Sequence, residues 1–410
     1  MEYPVGGAAN QWADSEPPPE FTPETHCANR SPRVNSLCVT AFRNYGAKTI
    51  ECEAPLVVLT GANGVGKTNL LEALSLLAPG RGLRRAAIAE FQLQEFSAAM
   101  VPSLVAGLQG ASQPWSISAE LTCATGDYQI GTGLDPSGGE VQKRLVYLDG
   151  KPQKGQAILN ELLAVIWLTP QLDRIFLEGS STRRAWFDRI VASLLGDHPK
   201  QLKAYEQAMR ERMRLLRDGH QDGQWFAALE SIMASQAVAI AAARNTVLEG
   251  LNRSIRSRPE TIFGTPQIAI VGAVEEQLLQ TSARLVEESL RQDYAAARVN
   301  DRVTGSCSIG IHRSEIMVSD AKRGISAAMT STGEQKSLLL AIFIAEAHLI
   351  FEMRGEPPLV LLDDLPAHFD QNRLASLHRI LSALGGQIWL TGTNRADFAS
   401  LDSQALWIGL

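Results

Sequence analysis

The chain has 410 residues, of which 45% are hydrophobic and 20% charged, and its formal net charge is −6. These values fit a soluble globular protein of two or three domains; they exclude a surface coated in basic charge but leave room for local basic patches. Five scattered cysteines (Cys27, Cys38, Cys52, Cys123, Cys307) include no CxxC pair and indicate neither a zinc site nor a disulfide framework. The first residues lack the basic-then-apolar pattern of a signal peptide, so a cytoplasmic location is expected.

Residues 1–34 are rich in Pro, Gly, Ala and polar residues without periodicity, and a disordered extension is expected there. Leu37–Phe42 alternates as a half-buried strand does, and Lys48–Cys52 reads as its hairpin partner.

The next segment is the most informative. Val57-Val58 leads into Gly61-Ala62-Asn63-Gly64-Val65-Gly66-Lys67-Thr68, followed by Asn69 and a helical run of Leu70, Leu71, Leu74 and Leu77. The spacing is G-x-x-x-x-G-K-[ST] between a strand and a helix, the context that a phosphate-binding P-loop requires. Glycines let successive backbone N–H groups form a nest for phosphate oxygens, backed by the positive end of the helix. Lys67 is expected to reach the β- and γ-phosphates of ATP, and the Thr68 hydroxyl to ligate Mg²⁺.

Residues 115–150 are expected to be β-rich, with a turn at Asp149-Gly150, and the segment "LAVIWLTP" to form a buried strand ending at Pro170. From Asp197 the period changes. Leu202, Tyr205, Met209, Met213 and Leu216 share one face of a helix, Leu229 to Leu251 continue similarly, and a third helical stretch covers Val274–Ala297. Together they form a helical arm over residues 196–299, separating two parts of a head at 35–195 and 300–410. Two basic clusters are candidate DNA contacts: Arg81, Arg84 and Arg85 after the P-loop helix, and Arg210, Arg212, Arg214 and Arg217 on the arm, off its apolar stripe. The alternative for each is a solvated face with salt bridges, for example to Glu211.

The C-terminal third alternates helix (Gly333–Phe351), strand (Leu359–Leu362), helix (Asn372–Leu384) and strand (Gln387–Leu390), which implies a mostly parallel sheet. The longest apolar run considered, Leu338–Ile350, is broken by Glu346 and His348, so no membrane-spanning domain is expected. Asp363 and Asp364 close the strand "PLVLL". Asp363 would hold Mg²⁺ and Asp364 would polarise the attacking water. The segment "STGEQKSLLLAIFIAEA" begins at Ser331. Its serine, Gly333 and helix N-terminus suit a γ-phosphate, whereas a plain N-cap is the simpler reading.

The motifs occur in the order P-loop, signature, Walker B, and the chain resembles the RecF family, bacterial DNA-repair ATPases of the ABC/SMC class. The resemblance rests further on "TAFRNYGAKTIEC", "LTPQLDRIFLEGSSTRRAWFDRIV", "YEQAMRERMRLL" and "GIHRSE", and runs from Leu37 to the C-terminus. It implies an α/β fold, a P-loop ABC-type ATPase head with a mixed sheet and a helical arm subdomain. It also implies ATP-dependent homodimers in which each signature caps the other subunit's nucleotide. Arg43, Gln171, Gln335 and Asp370 then join the nucleotide-binding residues. Double-stranded or gapped DNA and mediators of the RecR and RecO type are the implied partners, in loading the recombinase onto single strands. His368, Ile311 and Asn394 depart from the family pattern, and Asp364 in place of Glu suggests slow hydrolysis. Two other readings compete: a chromosome tether in which nucleotide drives only dimerisation, and an ATPase subunit serving separate membrane chains.

Overall fold

A computed structural model describes residues 31–93, 114–135, 143–258, 262–364, 371–401 and 405–410. Strands β1 (Arg33–Phe42) and β2 (Tyr45–Glu51) form the expected hairpin. Because β1 starts at Arg33, folded chain begins inside the stretch expected to be an extension. Val34 is fully buried, and its backbone is held through both N–H and C=O by the Gln387 side chain (3.0 Å each).

β1 also pairs with β4 (Ser116–Cys123), in a six-stranded antiparallel sheet ordered β2-β1-β4-β5-β6-β7; β3 (Leu56–Thr60) belongs to another sheet. Strands β5 (Gly126–Leu134), β6 (Arg144–Leu148) and β7 (Lys151–Pro152) complete it. The turn between β6 and β7 is the expected Asp149-Gly150, both with positive φ.

The second sheet is entirely parallel. Its order is β14 (Ala405–Gly409), β3 (Leu56–Thr60), β13 (Ile388–Gly392), β12 (Leu359–Leu362), β8 (Val165–Leu168). The strands read as unbroken apolar runs because both faces are covered. Val57, Leu59, Trp167, Leu361 and Trp389 face the antiparallel sheet and helix α1 (Lys67–Ser75), whereas Val58, Ile166, Leu168, Val360 and Leu390 face the helical side. The strands of the head thus divide into sheets of one kind each rather than sharing a single mixed one.

A third, small antiparallel sheet joins β9 (Pro266–Val271), β10 (Glu315–Asp320) and β11 (Ile325–Ser326). It falls partly in the stretch expected to be arm. The free edge of β9 is closed by the Asn252 side chain, which donates to the Ile268 carbonyl (2.8 Å) and accepts its N–H (3.0 Å).

Helix α2 (Ala157–Leu162) precedes β8, and α3 (Ser180–Leu194) packs on the helical face of the parallel sheet. The arm consists of α4 (His198–Arg217), α5 (Gly223–Arg256), α6 (Ala273–Gln280) and α7 (Ala283–Thr304). The third expected helix is therefore two, and α7 runs past the boundary placed at residue 299. Tyr205, Ala208, Met233, Ala237, Ile240, Val286, Leu290 and Tyr294 fill the arm's core. The far half of α5 (Val247, Leu251, Ile255) packs in the head against α8 (Thr332–Arg354), so one 34-residue helix, about 50 Å long, ties arm to head. By length and composition α5 could span a bilayer, contrary to the expectation from Leu338–Ile350. Its alanine-rich apolar stripe is instead largely occupied by neighbouring helices. Helix α9 (Gln371–Ser382) lies between β12 and β13.

Candidate nucleotide site

β3 delivers the chain into a loop that only glycine can follow. Gly61, Gly64 and Gly66 have φ of 154°, 83° and 114°. A Cβ on Gly66 would sit 2.5 Å from the Tyr45 hydroxyl and 2.6 Å from the Asn44 amide. Asn44 in turn donates to the Val65 carbonyl (2.9 Å) and accepts from the Asn69 side chain (2.7 Å). The Asn-Tyr of the β1–β2 hairpin thus braces the loop from behind. Lys67 is buried and donates through Nζ to the Gly61 and Ala62 carbonyls (2.7 and 2.9 Å). The N-cap of α1 is Gly66, which has no side chain to offer, so the start of the helix is left to the loop.

β12 is the second neighbour of β3, beyond β13, and it brings Asp363 to the same place. Thr68 Oγ1 lies 2.9 and 3.1 Å from the two Asp363 oxygens, across 295 positions of sequence. Thr391, at the end of β13, donates to Asp363 Oδ1 (2.8 Å) and accepts the Asp364 N–H (2.8 Å). Burial pushes the Asp363 carboxyl above its ordinary value, against the pull of the Thr391 and Thr68 hydroxyls and the Arg84 charge. Asp364 has φ of 51°, which a non-glycine residue adopts only when its surroundings impose it. Among the described residues no three His, Cys, Asp or Glu gather as a metal cage. One carboxylate beside one hydroxyl fits Mg²⁺, which takes most of its oxygens from phosphate and water.

On the inner face of α1, Glu72 is completely buried. Arg43 grips it with two bonds of 2.8 Å, donates to the Glu90 carbonyl (2.7 Å) and lies over the Phe91 ring. Arg84 also reaches Glu72 (3.1 Å) and donates to Asn69 Oδ1 (2.7 Å). Arg43 and Arg84 therefore belong to one ion-pair knot under the P-loop, with Arg84 close enough to act on Asp363. Arg81, Arg84 and Arg85 are all exposed, although Arg84 turns its guanidinium to Glu72. Gln171 is exposed in the turn Pro170–Leu177, just after β8 and beside β12.

Ser331, Thr332 and Gly333 form an exposed start to α8. Ser331 is its N-cap in a reciprocal capping box with Glu334. Gln335 points the other way: it is 4% exposed and donates to the Thr330 carbonyl (3.0 Å), so its expected place facing a nucleotide is not where the structure puts it. The reason is local bonding: its amide reaches back to the Thr330 and Ala328 carbonyls (3.0 and 3.4 Å) and holds the turn that leads into the helix. Lys336 binds Asp173 (3.0 Å), tying this helix to the turn that carries Gln171. Asp370 and His368 lie outside the described residues.

On the arm, Arg210 and Arg214 are exposed and paired locally with Glu206 (3.4 Å) and Glu211 (2.6 Å). Arg217 is exposed as well, but Arg212 is fully buried, contrary to its expected position off the apolar stripe. It lies seven residues after Tyr205, on the same face, and binds Glu230 (2.9 Å), Asp301 (2.7 Å) and the Tyr294 carbonyl (2.8 Å). The other motif segments converge at the arm's root. Arg244 of α5 makes two bonds to Asp188 of α3 (2.8 and 2.9 Å) and one to Glu275 of α6 (2.9 Å). His198 Nε2 is 3.0 Å from Asp188, and Ser314 of "GIHRSE" donates to Glu275. Thr391, Glu72 and Arg244 were not singled out from sequence; a lone Thr after a strand, or a Glu or Arg within a helix, carries no local signal.

Residues 33–404 match the RecF/RecN/SMC N terminal domain family. The chain is 39% identical to the DNA replication and repair protein RecF of Mesorhizobium japonicum over 376 residues, 92% of this chain and 95% of that one. It is 38% identical to the protein of the same name from Brucella suis, over 93% of this chain and 95% of that one. Among solved structures it resembles the recombination mediator protein RecF-ATPrS in the RecFOR pathway, with a TM-score of 0.78 and 21% identity over 93% of this chain and 96% of that one. The corresponding RecF-ATP structure gives 0.76 and 22% over 91% and 95%. At these identities the structural likeness speaks for the fold.

Proposed function

The chain belongs to the RecF family, and on that premise we propose that it is an ABC/SMC-type ATPase of DNA replication and repair that dimerises with ATP on duplex or gapped DNA. The observation that carries this reading is the chain of bonds Thr68–Asp363–Thr391–Asp364, which assembles P-loop, Walker B and the next strand into one polar site. Mg²⁺, when bound with ATP, would neutralise phosphate charge there. Lys67 would exchange its loop carbonyls for phosphate oxygens, and Thr68 and Asp363 would hold the metal. Thr391 fixes Asp363 and the Asp364 backbone together, so that Asp364 can take a proton from water. Its side chain is one methylene shorter than glutamate, consistent with slow turnover. Gln171 stands at the rim of the same site, and the exposed Ser331 and Gly333 are suited to a second subunit's nucleotide. Loading of a recombinase together with mediators of the RecR and RecO type completes the proposal.

The direct test is to size the protein with ATP, with ADP and with neither, each with and without DNA. An ATP-specific dimer that DNA stabilises is expected, and an ATP-independent monomer would refute the reading. The specific observation favouring a tether is Asp364 in place of glutamate; ATP turnover indifferent to DNA would decide for it.

The placement of the arginines sharpens the DNA prediction. Arg81 and Arg85 are the members of their cluster for DNA to meet, whereas Arg84 is committed to Glu72. Neutralising Arg81 and Arg85 should weaken duplex binding alike for every sequence and flatten the salt dependence by about one unit of slope for each phosphate no longer neutralised. Arg84→Gln should disturb nucleotide binding first. Unchanged affinity and salt slope for Arg81→Gln/Arg85→Gln with ATP present would move the DNA surface elsewhere, with Arg210 and Arg214 next to be tested.

A further inference from the structure

The start of α8 already holds an anion, and that anion belongs to the chain itself. Glu334 Oε2 accepts from the Ser331 backbone N–H (2.8 Å) and from its hydroxyl (2.9 Å). In return, Ser331 Oγ lies a long 3.4 Å from the Glu334 N–H. The carboxylate therefore occupies both donors that Ser331 can offer to a phosphate. Its other oxygen is bound from a different element. Arg323, in the turn between β10 and β11, reaches Glu334 Oε1 (2.8 Å) through one nitrogen and Asp320 (2.8 Å) through another. Arg323 and Glu334 are both roughly half exposed (44% and 43%), so the pair can rearrange without opening the core.

Two anions cannot share these donors. A γ-phosphate arriving at Ser331 brings more negative charge than the carboxylate it meets, in a place where the helix end favours one of them. We propose that Glu334 is a resident anion guarding the signature helix, and that Arg323 receives its carboxylate when the γ-phosphate of ATP bound to a second subunit takes Ser331. The proposal rests on the reading of an ATP-dependent dimer. It adds a reason for that dimer to distinguish nucleotides: without a γ-phosphate nothing displaces Glu334, and the cap stays closed. Arg323 is then a positioning residue, since it acts through the carboxylate rather than on the nucleotide.

The test compares dimerisation midpoints by analytical ultracentrifugation at saturating ATP or ADP for the wild type, Ser331→Arg, Glu334→Gln, Arg323→Gln and the double variant. Glutamine at 334 keeps the size and an acceptor for the Ser331 N–H but loses the charge, so the helix cap survives. Glu334→Gln is expected to lower the ATP midpoint about threefold to tenfold and to permit some dimer with ADP. Arg323→Gln should raise the midpoint by a similar factor. The double variant should match Glu334→Gln alone, because Arg323 then has no carboxylate to receive. If Ser331→Arg is monomeric but Glu334→Gln dimerises with ATP no better than the wild type, Glu334 is only a helix cap and the proposal is overturned. If the wild type fails to dimerise with ATP, or Ser331→Arg dimerises normally, the dimer reading itself falls and takes this proposal with it.

Discussion

Replacing Lys67 with alanine should abolish ATP binding while leaving the fold intact. The side chain is buried against its own loop, and among the described residues Nζ donates to the Gly61 and Ala62 carbonyls. Those carbonyls belong to an exposed glycine loop (Ala62, Asn63 and Gly64 are all open to solvent), so water can replace the ammonium there at little cost to stability. A triphosphate has no such substitute: it loses the one buried cation that the P-loop supplies. Charge-assisted bonds to phosphate are among the strong ones, and a loss of roughly a hundredfold or more in affinity, about 3 kcal/mol, is expected by calorimetry. Asp364→Asn provides the contrast. The backbone N–H of residue 364 still reaches Thr391, so binding should persist while hydrolysis falls by about a hundredfold. Tight ATP binding by Lys67→Ala would remove the site from this loop.

Lys67 is legible in the sequence because a P-loop is local. Gly61, Gly64, Gly66 and Lys67 are fixed by backbone conformations and spacings within eight residues, and the apolar strand β3 before them is unbroken because both faces of its sheet are buried. The partners of the site are not local. Thr391 matters because it stands between Asp363 and Asp364, and this depends on β13 lying between β12 and β3, a register that no single segment specifies. Glu72 reads as an ordinary surface residue of a leucine-rich helix until Arg43 and Arg84 are found closing over it. β9 shows the same limit for the fold: "PQIAIV" has strand character, but it lies between long helical patterns and is settled by pairing with β10. Arg212 shows it for charge. The helical period of Tyr205, Ala208 and Leu215 includes position 212, and an arginine there can face the core only because Glu230 and Asp301 arrive from two other helices.

The second large effect is expected where arm meets head, at Asp188. Its carboxylate accepts two bonds from Arg244 and one from His198, and Arg244 also binds Glu275 and the Ile311 carbonyl. Four helices, α3 to α6, therefore depend on two side chains. Asp188→Ala leaves Arg244 buried with one of its two carboxylate partners missing, and breaking a buried pair from one side costs about 3–5 kcal/mol. Arg210→Ala, on an exposed pair of the same arm, should change stability by less than about 1 kcal/mol. The pH dependence gives a second handle. Burial pushes the Asp188 carboxyl up, but the bonds from His198 and Arg244, together with the Arg244 charge, outweigh it and hold the group below the ordinary carboxylate range. A depressed folded value means that the stabilisation is fully present above the unfolded pKa and is lost as the pH falls through the folded one. The gap between wild type and Asp188→Ala in urea unfolding should therefore be constant near neutral pH and narrow only once the pH drops below about 4. A gap of under about 1 kcal/mol at neutral pH would mean that Glu275 and the Ile311 carbonyl alone suffice to hold Arg244. The long helix α5, which packs in both arm and head, would then set the direction of the arm rather than this ion-pair joint.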